Sequence, residues 1–391
     1  MEGRRDLADV FNLLMICGIL SGSHGNSRLI LNVFQSCRAV LSVTGFIMSL
    51  ASVYNTGIKD SLSRYAFFCA AGFFLSVQAV SFWLNRQLIE QTFVSIKRLN
   101  EKRIEPRQID NFRNISIKVW LGINIFIYSC LFFNLVYFVF PLGYDIYLSL
   151  FTNSTEPYGL PLPNKFIAGT EPPTRSFSYY SVTLFIIIWV GNLCFTAVGY
   201  YATIFFLILY ICNEFTILSE NILNWGNLCN KYNHGNEAKL TLKMIVQDHQ
   251  EVTRLGPALR EILGIPFMAH SVVCPMSLTL FLYTVKMQLG KNAIVVFVNS
   301  FCIISTSSML FITCLAGEIL QSQSLKIFES LCSIPWYEMS PNMRKELNMI
   351  VRQAVRPITI HYKGRYFINL RTFMQILNSC YSYFMLLNSM N

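Results

Sequence analysis

Ser181 to Asn213 read SVTLFIIIWVGNLCFTAVGYYATIFFLILYICN. A helix rises about 1.5 Å per residue, so about 20 apolar residues cross the roughly 30 Å of hydrocarbon in a bilayer. This run of 33 residues exceeds that need, and the excess predicts a helix that tilts or continues into the cytoplasm. Six more stretches reach the same criterion, at 33–55, 62–84, 117–140, 262–287, 292–316 and 366–389. Together they predict an all-α membrane protein with seven transmembrane helices, forming one domain over residues 1–391.

Composition agrees. The chain is 53% hydrophobic and 13% charged, with 32 Phe, and its mean hydropathy is +0.44, whereas a soluble domain carries about 25% charged residues. The opening MEGRRDLADVFNLLMICGIL has a charged head and a short apolar run, but no small-residue cleavage site of a signal peptide follows. Residues 1–32 therefore read as a cytoplasmic lead-in, with Phe11 to Leu20 too short to span. None of the 12 cysteines stands at C-x-x-C spacing. Cys69, Cys130, Cys194, Cys274, Cys302 and Cys314 sit in apolar runs, as small core hydrophobes do. The five histidines are scattered, so neither a zinc site nor any other cofactor is expected.

The formal charge of +10 is spread between apolar spans and forms no basic face for nucleic acid. Its distribution sets the orientation instead, because Lys and Arg are retained in the cytoplasm. Of 31 such residues, 23 fall in the N-terminal segment and the second, fourth and sixth loops, counting Lys118 at the second loop's edge. Five fall in the alternate loops: Lys59, Lys165, Arg175, Lys286 and Lys291. Arg38, Arg64 and Arg371 lie near span ends, where long side chains snorkel. The expected N-terminus is thus cytoplasmic and the C-terminus extracellular. The third loop, 141–180, is rich in proline and holds Asn153-Ser154-Thr155, so Asn153 is a candidate glycosylation site on the outside.

Residues 85–114, 214–261 and 317–365 mix charges with spaced apolar residues, the pattern of amphipathic cytoplasmic helices. The stripes Leu218, Ile222, Leu223, Trp225 and Ile327, Phe328, Leu331, Trp336 suit either contact with another subunit or packing within this one. Both alternatives stay open at this point.

The last sixty residues carry the specific signal. Trp336-Tyr337-Glu338, Arg356-Pro357, Thr372-Phe373 and Ser379-Cys380-Tyr381-Ser382-Tyr383-Phe384 with Leu386-Leu387 resemble, in order and spacing, the C-terminal signature of insect odorant receptors. Met385 stands where many members have Thr. The resemblance implies an odorant receptor in the plasma membrane of a sensory neuron. Such a chain binds a small volatile organic ligand and, in a heterotetramer with the odorant receptor co-receptor, gates a non-selective cation channel lined by the seventh helix. Leu386 then falls at the gate, Tyr383 one turn inward and Ser389 near the outer mouth. Ser379, Tyr383, Leu386 and Met390 do share one helical stripe, and an apolar ring gates by excluding water.

The resemblance also puts the ligand site in the outer half of the second, third, fourth and sixth spans. Candidates there are Phe68, Phe73 and Phe74; Phe132, Phe133, Val136 and Tyr137; Trp189, Asn192 and Leu193; and Phe297, Ser300 and Phe301. Tyr137, Trp189 and Asn192 each bring a polar group able to orient an ester, aldehyde or alcohol. His270 in the fifth span reads as a satisfied core histidine. A G-protein-coupled receptor needs the opposite topology, and Asp-Arg-Tyr and Asn-Pro-x-x-Tyr are absent. A gustatory receptor of the same superfamily ends in Gln-Phe where this chain has Ser389-Met390. A coupled transporter would need buried mid-span acids, and no constellation of an enzyme stands out.

Overall fold

The computed structural model describes residues 25–56, 66–101, 177–231, 236–291 and 293–389, with single positions between 121 and 151. In order come α1 (Gly25–Thr56), α2 (Ala66–Leu84), α3 (Arg86–Glu101), α4 (Phe177–Lys231), α5 (Asn236–Gln288) and α6 (Ala293–Ser333). A 3-10 turn at Trp336–Glu338, α7 (Pro341–Ala354), a hairpin of β1 (His361–Tyr362) and β2 (Tyr366–Phe367), and α8 (Leu370–Ser389) complete the chain. Helix prevails because lipid offers the backbone no hydrogen bonds, so each span must satisfy its own. Among the described residues four stretches are long and apolar enough to cross a membrane: Asn32–Ala51, Phe177–Asn227, Lys239–Gln288 and Asn299–Ser333. Cys69–Leu84 in α2 is apolar but shorter. α8 has 20 residues, yet it carries Arg371, Gln375, Asn378 and Asn388 and is not among the four. Most of the expected third span at 117–140, and Asn153 in the outer loop, lie outside the described residues.

The polar segment after the fourth span folds differently from a separate set of helices. α4 runs unbroken for 55 residues and α5 for 53, so residues 214–231 and 236–261 are the same two helices continued. This settles the two open stripes. Leu218, Ile222, Trp225, Ile327 and Leu331 are buried in the chain's own core, whereas Leu223 and Trp336 are exposed. α4 is the central rod, packing on α6 and α5 and also on α2 and α1. α3 joins it through Phe93, whose ring stacks on Phe206 with centroids 5.4 Å apart. The Tyr210 hydroxyl also donates to the Ile96 carbonyl at 3.2 Å.

Between α7 and α8 the chain is clamped against α5 and α6. Arg260 Nε donates to the Thr359 carbonyl at 2.8 Å, and the Ile358 N–H donates to Ser324 Oγ at 3.1 Å. The hairpin turns through Lys363 and Gly364, with φ of 47° and 69°. Glycine adopts that left-handed region at no steric cost, while lysine does not. The Gly364 N–H donates to His361 Nδ1 at 3.0 Å, which requires an unprotonated nitrogen. Burial, then the nearby Arg260 guanidinium, holds the His361 imidazole below its usual range. Because Tyr366 and Phe367 pair with Tyr362 and His361, the last helix starts at Leu370 and not at 366. Asn369 Oδ1 caps it, accepting from the Thr372 N–H at 2.9 Å. Glu318 of α6 accepts from the Leu370 N–H at 3.3 Å, and a Cβ on Gly317 would overlap the Ile368 carbonyl.

Candidate ligand-binding site

A cavity of about 210 Å³ lies in the bundle between α2, α4, α5 and α6. Its wall follows from helical spacing. Ala70, Ala71, Phe74 and Leu75 form one stripe of α2, and Val190, Leu193, Cys194, Ala197 and Tyr201 one stripe of α4. α5 contributes His270, Val273, Cys274, Ser277 and Phe281, and α6 contributes Phe301, Cys302, Ser305, Thr306 and Met309. Two alanines on α2 and one on α4 leave the space; larger residues there would close it.

Among the described residues the wall carries no carboxylate, lysine or arginine, so this lining suits a neutral molecule. Its polar groups are few: the Tyr201 hydroxyl, the His270 imidazole and the hydroxyls of Ser277, Ser305 and Thr306. His270 is 5% exposed, and its ring stacks on Phe74 with centroids 4.3 Å apart and 24° between planes. Ser277 Oγ donates to the Val273 carbonyl at 3.0 Å, which leaves its lone pairs as acceptors.

Of the residues expected from sequence, the structure brings Phe74, Leu193 and Phe301 together on this wall. Trp189 and Asn192 are placed elsewhere. Trp189 is fully buried, with its indole against Gly45 and Gly72, where an added Cβ would meet it. Among the described residues its Nε1 finds no partner. Asn192 turns towards α1: its Oδ1 accepts from Arg38 Nε at 3.0 Å and its Nδ2 donates to Ser42 Oγ at 2.8 Å. The Arg38 guanidinium also donates to Thr196 Oγ1 at 3.1 Å. A cation inside an apolar bundle needs such polar company, and this takes the Asn192 amide out of reach of a ligand.

Phe73 faces Phe46, with centroids 5.5 Å apart, and is partly exposed. Phe132 and Phe297 are exposed, and Ser300 is half-buried off the wall. Phe133, Val136, Tyr137 and the side chain of Phe68 lie outside the described residues. What sequence reasoning missed is the fifth span, although its signal was present. His270, Val273, Cys274, Ser277 and Phe281 repeat at i, i+3, i+4, i+7 and i+11, a polar-tinged stripe in an apolar helix. His270, read from sequence as a core histidine, is indeed buried but lies on the cavity wall, with its ring stacked on Phe74.

α8 packs on α5 through a narrow seam. Thr279 Oγ1 lies 2.7 Å from the Pro275 carbonyl and 3.1 Å from the Cys380 carbonyl, donating between the two. Lys286 Nζ donates to Asn388 Oδ1 further along. Among α8 side chains only Ile376 and Cys380 are buried. Tyr383, Leu386 and Ser389 are exposed on the free side, beside Gln375, Asn378 and Ser382.

Long apolar helices around a small cavity are the build of a multi-pass α-helical membrane protein. A model of the family described as 7tm Odorant receptor matches residues 60–381, and the chain belongs to that family of insect odorant receptors. Putative odorant receptor 83c of Drosophila melanogaster is 33% identical over 87 residues, 22% of each chain. The odorant receptor coreceptor of Harpegnathos saltator is 25% identical over 146 residues, 37% of this chain and 30% of that one. The match thus spans less than a third of that curated relative. The solved structure of the olfactory receptor OR5 from Machilis hrabei in complex with eugenol superposes with a TM-score of 0.74, covering 100% of both chains at 14% identity. At that identity the likeness concerns the fold.

Proposed function

We propose that this chain is the odour-binding subunit of a ligand-gated, non-selective cation channel, and that it works with the odorant receptor co-receptor in a heterotetramer at the plasma membrane of sensory neurons. The observation that carries this reading is the neutral cavity of about 210 Å³ walled by α2, α4, α5 and α6, one helix away from α8. For scale, an apolar cavity of about 150 Å³ takes a benzene molecule. A volatile of one ring with a short substituent fits. α5 borders the cavity on one side and holds α8 through Thr279 and Cys380 on another, so a ligand that shifts α5 acts on α8.

In this reading the chain crosses the membrane seven times, with its N-terminus inside and its C-terminus outside. The free face of α8 lines the pore, with Leu386 as the gate ring and Tyr383 and Ser389 on either side. Subunit contacts fall on the apolar residues that the single chain leaves exposed near the start of α5 and on α7, namely Leu240, Met244 and Met349. The similarity to co-receptors over 37% of the chain supports partnership between alike subunits. The test is patch recording from cells lacking both proteins, expressing this chain with and without an insect co-receptor. An odour-evoked cation current from the pair is expected. A surface-delivered pair that stays silent to a broad odorant panel would overturn the reading, as would a current that a G-protein inhibitor abolishes.

A further inference from the structure

We infer that His270 is the specificity-determining residue of this cavity, and that it selects a small neutral ligand bearing a hydroxyl group, an alcohol or a phenol. The inference rests on the receptor reading above and goes one step further, to the chemistry of the ligand.

His270 is 5% exposed and lines the cavity. Its ring stacks on Phe74, and among the described residues no hydrogen bond to it is found. A neutral imidazole has one nitrogen that donates and one that accepts, and His270 presents its ring on the wall of the cavity. The Phe74 stack fixes the plane of the ring, so its polar edge cannot turn freely in search of another partner. A ligand in the cavity is therefore the natural partner for that edge.

The rest of the wall narrows the choice. Among the described lining residues no ionic side chain is present to match a charged ligand. A hydrocarbon would fill the space but leave the imidazole unpaired. A carbonyl or ether oxygen only accepts, so it serves the ring N–H and nothing else. A hydroxyl both donates and accepts. Ser277, two turns along α5 on the same stripe, has already given its proton to the Val273 carbonyl, so it too can only receive a hydrogen bond from a ligand. An O–H fits either geometry, while the apolar remainder lies against Leu193, Phe301 and Met309.

The test uses pairs in which a methyl group replaces the hydroxyl at nearly constant volume: benzyl alcohol and ethylbenzene, 4-methylphenol and 4-xylene, 1-hexanol and heptane. Half-maximal concentrations are recorded for the chain expressed with the co-receptor. Wild type is expected to respond to at least one hydroxyl member at a concentration about tenfold or more below its partner, the size of a single neutral hydrogen bond. His270→Phe keeps the ring and its stack but removes both nitrogens, and should bring that ratio towards one. His270→Gln, which keeps a donor and an acceptor, should retain part of the preference. Surface labelling shows that each variant reaches the membrane. A ratio near one in wild type, or a ratio in His270→Phe equal to that of wild type, overturns the inference while leaving the receptor reading intact. Silence to all six compounds also overturns it; silence to every odorant tried removes the receptor reading as well.

Discussion

Trp189 shows how one residue decides which helices can approach each other. Its indole occupies the space that side chains on Gly45 of α1 and Gly72 of α2 would need. Helices in lipid gain little from burying apolar area against one another, so close packing over small residues holds them together. Gly45→Val would drive a branched side chain into a fully buried ring, an overpacking that costs about 1–3 kcal/mol or more. The variant should show reduced surface delivery and a lower melting temperature in detergent. Wild-type values for both would mean that α1 is not seated on this indole. A tryptophan in the outer half of the fourth span looks from sequence like a ligand contact. The glycine partners that claim it stand more than 100 residues earlier, and no local pattern joins them.

At the scale of elements, the short lead-in to α8 is held at three points. Asn369 caps α8, Glu318 neutralises its first orphan N–H, and Gly317 lets the Ile368 carbonyl lie directly on α6. Replacing an N-cap asparagine by alanine costs about 1 kcal/mol, and losing an anion at a helix N-terminus costs about 0.3–1 kcal/mol. Gly317→Val, which displaces backbone, should be worse than either. Melting temperatures in detergent should therefore fall in the order Gly317→Val, Asn369→Ala, Glu318→Gln, with the first lowest. Equal values for all three would show that the clamp holds nothing. Apolar length pointed to the four stretches long enough to cross a membrane, and charge periodicity to helix in α3 and over 214–261. The hairpin before α8 was hidden, because two strands of two residues leave almost no alternation to read. The cavity was half hidden for another reason. α2 and the first half of α6 carry no charged residue, so periodicity there hardly tells a face turned to lipid from one turned to the bundle. Phe74 and Phe301 line the wall while Phe73 and Phe297 do not, and nothing in their local sequence separates them.

For the whole molecule, the described residues pack around α4 and α5, and two features bear on function. One is the cavity between α2, α4, α5 and α6; the other is the free face of α8, which exposes Tyr383 and Leu386. In the function proposed above the first holds a ligand and the second meets other subunits, and α5 both walls the cavity and packs on α8. The most direct test of this account fills the space. Ala197 lines the cavity and is buried, and Ala197→Phe would place a ring where the ligand is proposed to lie. Dose-response curves for the strongest agonist, recorded with the co-receptor and normalised to surface protein, should shift to concentrations at least about tenfold higher, the order expected when an optimal pocket contact is lost. A curve that superposes on the wild-type one would mean that odours bind somewhere else.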